Sequence, residues 1–269
     1  MFQLVFTCVL LSFVGVSFGD HHDRPGKYLA HDRTVVNCAK YKREANQHSC
    51  VLSAFNTEGP YFLPDDLERS NLADDQIGIP FNLTIQLVNS NDCNPLSNMY
   101  VHIWHANAMG MYSGVDNGDQ TGEGSKNLDK LDHGGPGNPG FLRGRPTPIN
   151  KSRFGRGYQV TDANGQVHFK TIMPGWYTGR CLHVHVEVYP QDTTSGSDLL
   201  YVGQLFFHRE LPYELKLVDP YSQNNQFLVL NENDGIYINH GNETVLDLIA
   251  HGNSFKTSIT LGINPDTLK

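Results

Sequence analysis

The sequence has no surplus of basic charge: 20 Lys and Arg stand against 28 Asp and Glu, a formal net charge of −8. A nucleic-acid footprint needs a basic patch or stripe that displaces counterions, so that class of partner is excluded. None of the 5 cysteines forms a CxxC pair, which argues against a thiolate zinc knuckle. No internal repeat is present, and helical periodicity is weak everywhere, with residues 243–250 the best short candidate. Beyond the first nineteen residues no apolar run approaches the roughly 20 needed to cross a bilayer, so no membrane partner is expected. What is plentiful is glycine and proline, 26 and 14, which favours many turns over long helices. With 39% hydrophobic and 18% charged residues, the chain has the composition of a packed globular protein.

The one long apolar run covers residues 4–16 and is too short for a membrane span. It is followed by Ser17-Phe18-Gly19, which puts small residues at −3 and −1 of a cut before Asp20. Residues 1–19 therefore read as a secretory signal peptide, although the usual positive n-region is missing. Residues 20–55 read as a polar N-terminal arm, whose His21-His22 pair is expected to be solvated, and 56–269 as one domain. Loss of the leader takes Cys8 with it and leaves Cys38, Cys50, Cys93 and Cys181. In an oxidising compartment that even number suggests two disulfides, with three connectivities open. Sequons at Asn82, Asn150 and Asn242 make a secreted glycoprotein the expectation.

From Phe81 onward the pattern is β. Residues 81–89 (FNLTIQLVN) alternate apolar and polar side chains, and 99–105 (MYVHIWH) put Tyr100, His102 and Trp104 on one face, Val101, Ile103 and His105 on the other. Residues 158–162 and 166–172 flank Ala163-Asn164-Gly165, and Asn-Gly predicts a hairpin. Short strands are expected at 183–189, 205–208, 226–230 and 258–263. The stretch 116–148 is long, polar and rich in Gly and Pro, the signature of a functional cover or an insertion. The fold class expected is all-β, a single β-sandwich domain with long loops.

The sharpest local motif is His183-Val184-His185-Val186-Glu187-Val188. Residues i and i+2 of a strand share a face, so the two imidazoles point one way and the three valines form the opposite, core-facing row. A paired HxH on a strand suits a metal but also suits structural histidines. Just upstream, Pro174-Gly175 turns the chain and brings Tyr177 and Arg180 back toward His183, and Tyr112 follows the strand that ends near Trp104. A strongly Lewis-acidic cation holds a phenol as phenolate, and hard phenolate donors suit Fe(III) better than Zn(II) or Cu(I). With 12 tyrosines in the chain, the competing reading of each is an ordinary core-edge residue.

Five motifs in one order resemble the intradiol ring-cleavage dioxygenases, specifically their secreted eukaryotic and actinobacterial branch. They are TEGPYF from Thr57, HIWHANAMGMYSG from His102, RGYQVTDANG from Arg156, Thr171 to Tyr177 with Arg180 and His183-Val184-His185, and GQLFF from Gly203. The resemblance implies one non-haem Fe(III) per chain, with Tyr112 and His185 as equatorial ligands and Tyr177 and His183 as axial ones. It implies that Tyr177 doubles as general base for a catechol proton and that Arg180 stabilises charge on the bound substrate. Gln204 would flank the pocket where O2 reacts. The activity implied is cleavage of a catechol-type ring between its hydroxylated carbons with O2, to cis,cis-muconate-type diacids, on plant or environmental phenolics. Cys181 departs from the pattern, since a free thiol beside Fe(III) is a redox hazard; the pairing expected is Cys38–Cys181 with Cys50–Cys93. The short polar N-terminus lacks the dimerisation helix of the intracellular branch, which is compatible with a monomer and an open cleft.

Two other classes compete. One is a secreted Zn or Cu enzyme built on His183 and His185, which leaves Tyr112, Tyr177 and Arg180 unexplained. The other is a non-catalytic β-sandwich that binds carbohydrate or phenolics through Trp104 and Trp176. A tyrosinate-to-Fe(III) colour separates both from the dioxygenase.

Overall fold

The computed structural model of the chain describes residues 53–64, 67–117 and 145–266, all within one compact unit. The leader, most of the arm, Cys38 and Cys50, and most of 116–148 lie outside the described residues. Among the described residues nine strands form two sheets: β1 (Pro80–Asn89), β2 (Tyr100–Trp104), β3 (Arg156–Val160), β4 (Gln166–Ile172), β5 (His183–Tyr189), β6 (Tyr201–Phe207), β7 (Val245–Leu246), β8 (Ile249–His251) and β9 (Ser254–Ile263). One sheet has the order β4-β1-β9-β8 and the other β3-β2-β5-β6-β7. The expected β-sandwich is what forms.

Alternation along the strands builds the core. On β1 the odd positions Phe81, Leu83, Ile85 and Leu87 are buried, and they meet Val101 and Ile103 of β2 and Val184, Val186 and Val188 of β5 across the sandwich. Burying each such side chain contributes about 1.5–3 kcal/mol. The five-stranded sheet is covered on its other face as well. There Tyr61, Phe62, Leu63, Trp104, Tyr112 and Tyr177 make a second cluster. Every residue of β5 is consequently buried, including His183, His185 and Glu187. Polar groups are costly to bury without partners, so this row marks the outer face of the sheet as the functional one.

Three local expectations are corrected. The Asn-Gly turn forms, with Gly165 at φ 73 and Asp162 Oδ1 accepting from the N–H groups of Asn164 and Gln166 at 2.8 Å each, but it does not close a hairpin. Its flanking strands go to different sheets, β3 pairing with β2 and β4 with β1. Turn chemistry fixes the reversal; the partner is chosen by which apolar face each strand must bury. Residues 226–230 are irregular rather than strand, because Gln226 spends its polar groups on neighbouring loops, as described below. Residues 243–250 are not a helix but a 3-10 turn, Gly241–Thr244, followed by β7 and β8. β7 adds to the edge of β6 in parallel, and that long-range pairing overrides a weak local preference.

No helix among the described residues is long and apolar enough to cross a membrane. All three sequon asparagines, Asn82, Asn150 and Asn242, are exposed.

Candidate metal centre

β5 presents His183 and His185 on the sheet's outer face. The indole of Trp104, from the adjacent strand, stacks on the His185 imidazole at 4.6 Å and 9°, fixing its plane. His183 Nδ1 lies 2.6 Å from the Cys181 carbonyl oxygen. A carbonyl only accepts, so Nδ1 carries the proton and Nε2 of His183 presents a lone pair.

The two tyrosines arrive on loops that lock together. After β2, Asn107 Oδ1 accepts from the N–H groups of Met109 and Met111, and Gly110 turns at φ 76. Asn117 then brackets Tyr112, accepting from its N–H at 2.6 Å and donating to its carbonyl at 2.9 Å. After β4, the Tyr221 hydroxyl donates to the Met173 carbonyl at 2.7 Å and holds the chain as it enters the Pro174-Gly175 turn. The loops touch where neither tolerates a side chain: a Cβ on Gly175 would lie 2.2 Å from the Ala108 oxygen, and one on Gly110 2.1 Å from the Trp176 oxygen. Asn224 Nδ2 braces both, donating to the carbonyls of Ala108 and Trp176. Gln226 does the same, donating from Nε2 to Met109 and accepting from Thr178 N–H.

This bracing puts four donor atoms together. His183 Nε2 has His185 Nε2 at 3.1 Å, Tyr112 Oη at 3.4 Å and Tyr177 Oη at 3.4 Å. All four residues are at least 95% buried. One imidazole lone pair satisfies one hydrogen bond, so three polar atoms around it exceed what a hydrogen-bond network needs. Donors aimed at a common point are what a cation requires.

Electrostatics support the same reading. Burial, reinforced by Arg180, holds His183 down to about 3, and burial with the neighbouring His183 holds His185 well below its ordinary value. Both imidazoles are therefore neutral and available as ligands. Burial, with Tyr177 next, pushes Tyr112 well above 10; burial also raises Tyr177, and Arg180 opposes it. The phenols keep their protons unless a strong cation supplies the missing stabilisation. Two phenolates and two imidazoles match a hard, trivalent ion such as Fe(III). Among the described residues no group of three or more His, Cys, Asp and Glu is arranged for a metal, so a carboxylate- or thiolate-rich site does not compete there.

Arg180 and Gln204 lie beside this set. Gln204 is the Cα partner of His185 on β6, and its Oε1 accepts from Arg180 Nη2 while its Nε2 donates to the Thr57 carbonyl. Tyr61, from the TEGPYF segment, stacks on Tyr112 at 4.4 Å and meets Tyr177 edge-on at 5.8 Å. The same segment carries Glu58, which pairs with Arg145 at 2.8 Å beside the buried Glu187. Its motif was visible in the sequence, but nothing there assigned Tyr61 to the ligand pair. Asp234, bonded to Arg180 Nε at 2.9 Å, left no sequence signal, because it stands 54 positions away.

The expected Cys38–Cys181 disulfide does not form: Cys181 is a free, buried thiol, whereas Cys93 is disulfide-bonded to a residue outside those described. The hazard of a thiol near the site is met another way. Burial, with Asp234 next, pushes the Cys181 thiol up, so it stays protonated and poorly nucleophilic.

No family model and no curated protein matches the chain. Solved structures that resemble it include two dioxygenases. The first, an intradiol ring-cleavage dioxygenase from Tetranychus urticae, is 32% identical with a TM-score of 0.64, over 80% of this chain and 95% of that one. The second, described as a dioxygenase, is 31% identical with a TM-score of 0.65, over 81% of this chain and 96% of that one.

Proposed function

The chain belongs to the intradiol ring-cleavage dioxygenase family, and on that premise we propose that it binds one non-haem Fe(III) and cleaves catechol-type rings between their hydroxylated carbons with O2. The products would be cis,cis-muconate-type diacids. The supporting observation is the convergence of Tyr112 Oη, Tyr177 Oη and His185 Nε2 on His183 Nε2.

Tyr112, Tyr177, His183 and His185 would hold the metal. A ferric ion, when bound, supplies the Lewis acidity that keeps the phenols ionised and lets a chelated catecholate react with O2. Tyr177 would take a catechol proton at Oη, a role supported by the burial that keeps the proton affinity of its phenol high. The Arg180 guanidinium stabilises negative charge on the substrate oxygens, an effect typically worth about 3–4 kcal/mol for a preorganised donor. Tyr61 and Trp104 restrict the rings of Tyr112 and His185 by stacking, so the donors are preorganised rather than recruited.

The enzyme is further proposed to act outside the cell, on plant or environmental phenolics. The leader-like residues 1–19, the disulfide at Cys93 and the exposed sequon asparagines support this.

The test is metal analysis and visible absorption of the purified protein, then oxygen uptake on a panel of catechols with product identification. One iron per chain, a burgundy colour and a muconate-type product are expected. Zinc or copper in place of iron, or cleavage beside rather than between the hydroxylated carbons, overturns the reading.

A further inference from the structure

A buried arginine beside a metal centre has to be aimed. The guanidinium of Arg180 carries a full positive charge on a side chain only 17% exposed, paired with the fully buried Asp234. Its Nε–H donates to Asp234 Oδ2 and its Nη2 to Gln204 Oε1, so Nη1 is the nitrogen that neither bond holds. A planar guanidinium held at two nitrogens has a fixed orientation.

Asp234 is itself rigid. It is fully buried and accepts four hydrogen bonds: Oδ2 from Arg180 Nε at 2.9 Å and Cys181 N–H at 2.8 Å, Oδ1 from the N–H groups of Ile236 at 2.8 Å and Tyr237 at 3.1 Å. The last two cap the short helix Gly235–Ile238. One carboxylate thus joins that helix start to the turn leading into β5, and Cys181 is two residues from His183. From this geometry we infer that Asp234 is a positioning residue, which presents the Arg180 guanidinium to the substrate oxygens and supplies the buried countercharge that keeps it there. The inference rests on the ring-cleavage reading for its consequence but not for its contacts.

The choice of Asp is chemically specific. An asparagine has one acceptor oxygen, so its amide would face two of the four N–H donors, and Arg180 would lose its ion pair. Replacement should therefore release the guanidinium rather than simply weaken a surface contact.

The experiment is a double-mutant cycle of Asp234→Asn with Arg180→Ala, read by iron per chain, catechol Kd from anaerobic spectral titration, and kcat/KM. In the otherwise native protein Asp234→Asn should retain iron and lose about 10–100-fold in kcat/KM. In the Arg180→Ala background the further loss should be within about twofold, since the two changes remove the same interaction. An equal loss in both backgrounds, or none in the native one, overturns the inference. Phenylglyoxal labelling of Arg180, followed by peptide mass mapping, is independent of turnover: the asparagine variant should label faster, and an unchanged rate refutes the inference. Faster labelling in a protein that consumes no O2 would uphold Asp234 and refute the ring-cleavage reading. If the asparagine variant does not fold, Asp234→Glu, which keeps the charge but moves it by one methylene, is put through the same cycle with the same criteria.

Discussion

Replacing Gly175 with alanine tests whether loop-to-loop contact assembles the metal site. The backbone of Gly175 is outside the left-handed region, so alanine adds a methyl group without conformational strain. That methyl would lie 2.2 Å from the Ala108 oxygen, 2.6 Å from its carbonyl carbon and 2.7 Å from the Asn107 oxygen. Ordinary contact begins at 3.4 Å, so the loops carrying Tyr177 and Tyr112 must separate by about 1.2 Å. Ligand positions are tolerated within about 0.2 Å, so a shift of that size removes at least one phenolate from a shared ion. Overpacking of this kind costs about 1–3 kcal/mol, a Tm loss of about 2–12 °C in a domain of this size. The assay is Tm by calorimetry, iron per chain, and the tyrosinate absorption band. The control is Gly252→Ala at the β8–β9 turn, where φ is 60 and nothing lies within 4 Å. That change costs about 1–2 kcal/mol through backbone strain alone and should leave iron and colour intact. A folded Gly175→Ala protein that binds one iron with the native spectrum would refute the reasoning.

Tyr177→Phe keeps the ring packed against Tyr61 and removes only the hydroxyl, so Tm should change by little while colour and turnover fall together, turnover by about 100-fold or more; native turnover removes Tyr177 from the chemistry. Glu58 has its carboxyl raised by burial, against the opposing charge of Arg145. Its folded form therefore holds a proton that the unfolded chain has released, and its contribution is present below the ordinary glutamate range and lost as pH rises through the folded value. The Tm difference between pH 5 and pH 9 should accordingly shrink in Glu58→Gln relative to the native protein, and an identical difference contradicts this. Alkylation mapping without reduction should leave Cys181 unmodified in the folded protein and modify it after denaturation, as a free buried thiol requires; a Cys181 that stays blocked in denaturant is disulfide-bonded after all.

The sequence by itself determined the strands that bury a regular face. Period-two alternation in β1 and the three valines of β5 specify a two-sheet core whatever the loops do, because a one-residue slip would expose every apolar side chain. It also determined that His183 and His185 share a face, since they are two apart on one strand. Tertiary structure alone decided the rest. Asn-Gly makes a turn from local chemistry, but which sheet receives each flanking strand depends on partners far along the chain. Residues 226–230 have a strand-like composition, yet Gln226 is used to brace two loops that lie 117 and 48 positions away from it in the chain. Cys181 had the parity of a paired cysteine and turned out free, because disulfide geometry is set by where backbones meet. Asp234 reaches Arg180 across 54 positions. Strand periodicity is encoded in neighbours, whereas the convergence of two phenols, two imidazoles and an aimed guanidinium is encoded in the packing of loops.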